Sequence, residues 1–290
     1  MRLQEAHGES VDIGEMVLHH TADAYAIGIE PFFMVSWHRW PDIHLGPVTL
    51  NLTPTKHVVF LVLAALLVFV TMWGTGRALR RQRAQERAPT GFANAIEAMV
   101  LFVRNDMAIA NIGHDGARFA PYIMTVFFFI LYANLLGLLP HGATATGNLA
   151  VTGALALCTL VVVEVGGFLK LGPRGYLRTI FPSVPGMSGA GAVAISLTMA
   201  PIEVIGKFVK PFALAVRLFG NMTAGHFVIL SLFGVVFLFG TLGIASWGIG
   251  IVTALLVVGI MLLEIFVAFL QAYVFALLSA VFIGLMQHEH

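Results

Sequence analysis

The chain has 290 residues, 58% of them hydrophobic and 11% charged, with a mean hydropathy of +0.89. Soluble domains carry roughly 25% charged residues, so composition excludes a free soluble globule and points to an integral membrane protein. A net charge of +1 gives no electrostatic ground for a nucleic-acid partner. The single cysteine, Cys158, lies in an apolar run, which excludes an intramolecular disulfide and a thiolate metal site.

Residues 1–53 carry Glu5, Glu9, Asp12, Glu15 and Asp23 and lack a basic start followed by an apolar core, so they do not read as a cleaved signal peptide. Pro31, Pro41, Pro47 and Pro54 break any long helix. An extramembrane segment of a short helix and loops is expected there, followed by a membrane domain over 54–290. Between Lys56 and Arg77 lie 20 residues without a formal charge, 57–76, about enough to cross ~30 Å of hydrocarbon. The next stretch holds Arg77, Arg80, Arg81, Arg83 and Arg87. The positive-inside rule makes it cytoplasmic and puts the N-terminus outside.

After Pro89, the residues Phe92, Ile96, Met99, Val100, Val103 and Met107 fall at helical spacing, with Asn94, Glu97 and Arg104 on the other face. That pattern predicts an amphipathic helix lying on the cytoplasmic interface. Residues 119–139 form a second span, and the loop after it (HGATATGN) has no Lys or Arg, so it should face outward. Residues 149–169 form a third span, and Lys170, Arg174 and Arg178 mark the return to the cytoplasmic side. Glu164 reads as a residue near that helix end, and Lys207 and Lys210 as snorkelling groups.

The last third departs from simple spans. The uncharged or nearly uncharged stretches 211–239 and 249–286 hold 29 and 38 residues, roughly 43 Å and 57 Å as helices. Neither fits upright in ~30 Å of hydrocarbon. Each is either broken or strongly tilted, and an oblique pair, spanning about 190–239 and 249–286, needs something large to lie along. The expected fold is therefore an all-α integral membrane protein. It combines upright helices, an interfacial amphipathic helix and a long tilted C-terminal hairpin.

In an antiparallel pair, facing residue numbers sum to a constant. Arg217 with Gln271 gives 488 and His226 with Glu264 gives 490; half of either falls in the Gly-rich stretch 240–248. The hairpin thus places Arg217 level with Gln271 and His226 level with Glu264. Asn221 lies between the two levels, one turn from Arg217. Intramembrane ladders of polar and titratable groups mark ion or proton pathways. Arg217 costs about 2.5 to 3.5 kcal/mol at a helix centre on insertion scales, and no acid of the hairpin is reserved for it. A guanidinium that stays charged at any pH is expected to find its carboxylate on another subunit.

Other signals carry less. The terminal QHEH reads as a solvated end rather than a metal site, and SGAGA (188–192) lacks the preceding strand a phosphate loop needs. Without GxSxG, HExxH or a paired nucleophile and base, no enzyme activity and no cofactor are expected of the chain by itself. The competing reading is an ion-coupled secondary transporter. Such proteins commonly show two related halves, and none is visible here.

The segments RLFGNMTAGH (217–226), KPFALAV before it and FLQAYVFALLSAVFIGLM near the end resemble subunit a of the F-type ATP synthase membrane sector. HHTADAY, ANLLGLLP and GNLAVTGALAL are similar to further segments of that family. The resemblance implies a stator subunit for proton transport and ATP synthesis, multi-pass in a bacterial inner membrane or in an energy-transducing organelle membrane, with its C-terminus cytoplasmic. Its implied partners are the ring of c subunits, the subunit b peripheral stalk, the rest of the complex and the lipid bilayer. It further implies an outer half-channel lined by Asn221, His226, Glu264 and Gln271. A cytoplasmic half-channel would include Glu203 and Lys210, and Arg217 would stand between the two as a gate facing the ring carboxylate. Two departures stand out. His226 and Glu264 occupy positions that many bacterial relatives fill with an acid and a His in the opposite order, and Gly137 stands where some relatives carry an acid.

Overall fold

The computed structural model describes residues 26–29, 33–36, 38, 40–41, 43–45, 48–50, 53–85, 90–139, 144–181, 189–239 and 244–288. The described part of the N-terminal segment contains two short antiparallel hairpins. Strand β1 (Ala26–Ile29) pairs with β2 (Phe33–Ser36), and β3 (Ile43–Leu45) pairs with β4 (Val48–Leu50). Over these described residues strands stand where loops were expected, because alternation over three or four residues is too short to register as a strand beside four prolines; residues 1–25 lie outside the described residues. The HHTADAY segment lies outside the described residues.

From Lys56 onward the described chain is helical, and five stretches are long and apolar enough to cross a membrane. Helix α1 (Lys56–Ala84) contains the expected span and continues through the arginine cluster. Arg81 and Arg83 fall in its last turn, where the negative end of the helix dipole favours cations. Its outer face exposes Val62, Leu66, Phe69, Val70 and Trp73, as a lipid-facing helix does.

Helix α2 (Phe92–Phe102) runs into a π-helical stretch at Val103–Ile109 and the short α3 (Ala110–Ile112). The amphipathic pattern holds, because Ile96, Val103 and Met107 are buried while Asn94 and Arg104 are exposed. The apolar face packs against the protein's own helices, and Phe102 stacks on Tyr273 with ring centroids 6.0 Å apart. The wider π-turns free carbonyls that Asn111 satisfies, its Nδ2 donating to Met107 O at 2.8 Å.

Helix α4 (Gly116–Gly137) is the centre of the molecule, with Ile123, Phe127, Phe128 and Ile130 fully buried. Helix α5 (Leu149–Ile180) is capped by Asn148 and kinked at Gly172, whose φ of 68° is open to glycine but strained for other residues; Pro173 follows. Two very long helices complete the fold, α6 (Ala190–Phe239) and α7 (Ile244–His288). At 1.5 Å per residue they are about 75 Å and 68 Å long. Helix α7 begins at Ile244, inside the Gly-rich stretch 240–248.

Helices α6 and α7 pack on each other, α5 lies against α6, and α7 lies along α4. The α7 contact uses Ala268, Ala272, Ala276 and Ala280, all fully buried at a spacing of four, ending in Gly284. A side chain at Gly284 would run into the backbone of Asn111. Small residues at this spacing let helix backbones approach closely, which matters where lipid removes the hydrophobic drive between helices.

Candidate functional site

Arg217 sits on the exposed face of α6 and has no hydrogen-bond or ion-pair partner among the described residues. Ala213, Gly220 and Ala224 share that face at spacings of three, four and seven, and Asn221 lies one turn further along. The cation therefore stands on a strip of small side chains, where another helix has room to come close.

Polar groups flank it on both sides along α6. In the direction of Phe239, Asn221 Nδ2 donates to Gln271 Oε1 at 3.0 Å, which ties α6 to α7. Gln271 was expected level with Arg217; its hydrogen bond goes instead to Asn221, one turn away. Farther on, the carboxyl of Glu264 packs against Gly225, where a side chain would overlap it. Glu264 is 6% exposed, and neither of its oxygens has a hydrogen-bond partner among the described residues. His226, next to Gly225 in the chain, makes no hydrogen bond to Glu264. Its Nε2 lies 2.6 Å from Oγ1 of Thr144, in the loop between α4 and α5.

In the other direction lies a cavity of about 50 Å³ lined by Glu164, Glu203, Lys207, Lys210, Thr159 and Thr179 among others. Lys207 Nζ is 3.2 Å from Glu164 Oε2 and 3.1 Å from Thr179 Oγ1, and it sits 4.4 Å from the centroid of the Tyr176 ring. The Tyr176 hydroxyl donates to the same Glu164 carboxylate. Both Tyr176 and Thr179 reach this point because the kink at Gly172 turns the last two turns of α5. In a straight helix Tyr176 would stand about 18 Å from Glu164 along the axis. Lys210 Nζ lies over the Phe282 ring at 5.7 Å, and Glu203 has no ion pair among the described residues.

Of the residues named from sequence, Asn221 meets Gln271, whereas among the described residues Arg217 makes no hydrogen bond to Gln271 and His226 makes none to Glu264. Glu164 and Lys207, read separately as a helix-end acid and a snorkelling base, are partners. Thr144 stands in the neutral loop HGATATGN, where neither charge nor motif marks it. Among the described residues no cluster of three or more His, Cys, Asp or Glu occurs.

Comparison with known proteins decides the family. Residues 56–284 match the ATP synthase A chain family.

The chain belongs to the ATP synthase A chain family.

It is 44% identical to "ATP synthase subunit a 2" of Chlorobaculum tepidum over 273 residues, covering 94% of this chain and 72% of that one. It is 47% identical to "ATP synthase subunit a" of Myxococcus xanthus over 247 residues, 83% and 76% of the two chains. Against "ATP synthase subunit a" of Anaeromyxobacter dehalogenans the identity is 42% over 286 residues, 96% and 71%. The chain is a multi-pass, non-catalytic membrane subunit of this family, and the secondary-transporter reading is set aside.

Proposed function

We propose that this chain is the stator of a proton-driven rotary ATP synthase in a bacterial inner membrane. Its N-terminus would lie outside and its C-terminus in the cytoplasm, bound to a ring of c subunits and to a subunit b stalk. The observation that carries the reading is Arg217: an exposed guanidinium without a partner among the described residues, on a small-residue face, between two polar clusters. A carboxylate carried on a moving partner is the counter-ion such a group calls for.

In this reading protons enter from outside through a half-channel formed by His226, Glu264, Asn221 and Gln271. They neutralise a ring carboxylate and leave, after rotation, past Glu203 and Lys210 into the cytoplasm. Arg217 attracts each arriving carboxylate into its charged state and cannot itself release a proton, so it separates the two half-channels without short-circuiting them. Lysine is a poor substitute, since a buried ammonium deprotonates more readily. Each crossing supplies about 2.3 kcal/mol per 100 mV of membrane potential. The helices of about 75 Å and 68 Å exceed the bilayer more than twofold, which supports an oblique path around a large cylindrical partner.

The test is ATP-driven proton pumping in membranes containing the assembled complex with Arg217→Gln. Loss of pumping with the complex intact is expected. Retained coupled pumping without a compensating Arg elsewhere overturns the gate.

A further inference from the structure

We propose that Thr144 is a positioning residue for His226 in the outer proton path, and that Gly137 lacks a side chain so that Thr144 can take up this place. This rests on the reading of His226 as a pathway residue. Thr144 is 3% exposed, and its Oγ1 lies 2.6 Å from His226 Nε2. Its side chain fills the space beside Gly137, where a Cβ would collide with its hydroxyl, Cβ and Cγ2.

The hydroxyl is held there by a rigid support. The turn that follows closes with Gly147 N donating to Thr144 O at 2.8 Å. Two residues on, Thr146 Oγ1 donates to Asn134 Oδ1 at 2.7 Å, and Asn134 Nδ2 donates to Ala268 O at 3.3 Å. Thr146, Asn134 and Ala268 are all fully buried, so the loop is tied to both α4 and α7.

The chemistry suits proton transfer. A hydroxyl both donates and accepts. It can donate to a neutral ring at Nε2 and accept from the same nitrogen when the ring is protonated, with no charge of its own to trap the imidazolium. The contact holds the ring plane at Nε2 in either protonation state. His226 thereby keeps one orientation through a full cycle of loading and release.

Three substitutions in the whole complex test this, with pumping measured per assembled complex across a pH series. Thr144→Val keeps the shape and removes the hydroxyl. Thr144→Ser keeps the hydroxyl, and Gly137→Ala keeps both but displaces the side chain. Lys56 and His57 at the start of α1 act electrostatically on His226, Glu264 from α7 packs beside the neighbouring Gly225, and none of them is altered. A positioned proton-transfer group contributes ~10²–10⁴-fold, and loss of its support is expected to forfeit about tenfold. Val and Ala should therefore pump about tenfold more slowly with a displaced pH profile, while Ser stays near the parent. If the Val variant assembles poorly, Ser and Ala decide alone: Ser near the parent with Ala impaired upholds the role, and any other result overturns it. Unchanged rate and pH profile in Val, or Ser as impaired as Val, likewise overturns it. His226→Leu separates the two readings: if it leaves pumping intact, the outer pathway itself fails. If it abolishes pumping while Thr144→Val does not, only the role of Thr144 falls.

Discussion

On the two sides of Arg217 the same helix buries polar groups in opposite ways. Toward Thr179, the Glu164 carboxylate is compensated within the chain: it takes Lys207 and Tyr176, and Thr179 takes a further donor bond from Lys207. Toward Thr144, the buried carboxyl of Glu264 has no partner among the described residues, and His226 leans on a neutral hydroxyl. A buried polar group left unsatisfied costs about 1–3 kcal/mol, more if charged. The first side therefore reads as built for stability, and the second gives up stability for groups that are free to exchange protons. Arg217, exposed between them, belongs to neither.

The largest expected effect tests the residue that the comparison leaves out. Arg217→Gln should abolish ATP-driven pumping while the complex still assembles, checked by subunit content of the purified complex. Next comes the side without a fixed pair. Glu264→Leu should cut proton flux by about a hundredfold or more, as loss of a proton-transfer group does, and should leave assembly and thermal stability unchanged or improved. Lower stability with normal flux would reverse the assignment of roles.

The opposite balance is expected on the paired side. The carboxylate and ammonium of Glu164 and Lys207 are 22% and 14% exposed, so the ~3–5 kcal/mol of a fully buried pair is reduced by solvent screening. Lys207→Met should lower stability by about 1–3 kcal/mol, and Glu164→Leu combined with Lys207→Met should recover most of it. Thermal unfolding of the detergent-solubilised complex reads both. The smallest effect is the tie at Asn221. A double-mutant cycle of Asn221→Ala and Gln271→Ala should give a coupling of about 0.6 kcal/mol, typical of side-chain hydrogen bonds between membrane helices.

Much of this contrast was legible in the sequence, for physical reasons that differ by region. The spans stood out because a run of apolar residues of bilayer length has few other uses. The hairpin register followed from arithmetic, since antiparallel helices with a short connection fix which residue numbers face each other; Gly225 against Glu264 and Asn221 with Gln271 fall close to the expected sums. The Glu164–Lys207 pair was not legible. Its members are 43 positions apart on different helices, and its third member arrives only because Gly172 and Pro173 turn α5, a bend whose direction no spacing reveals. Thr144 and His226 are 82 positions apart, joined by a loop whose path depends on Asn134 in the core. The N-terminal hairpins escaped because strands of three or four residues leave too short a pattern.

The counter-ion of Arg217 decides between a stator gate and a structural anchor, and a high-resolution map of the assembled complex shows where it comes from. The guanidinium is expected to face the rotor, its nearest carboxylate belonging to a ring subunit and not to this chain. A map showing Arg217 locked onto Glu203, Glu264 or another fixed acid of its own chain, turned away from the ring, would contradict the gate.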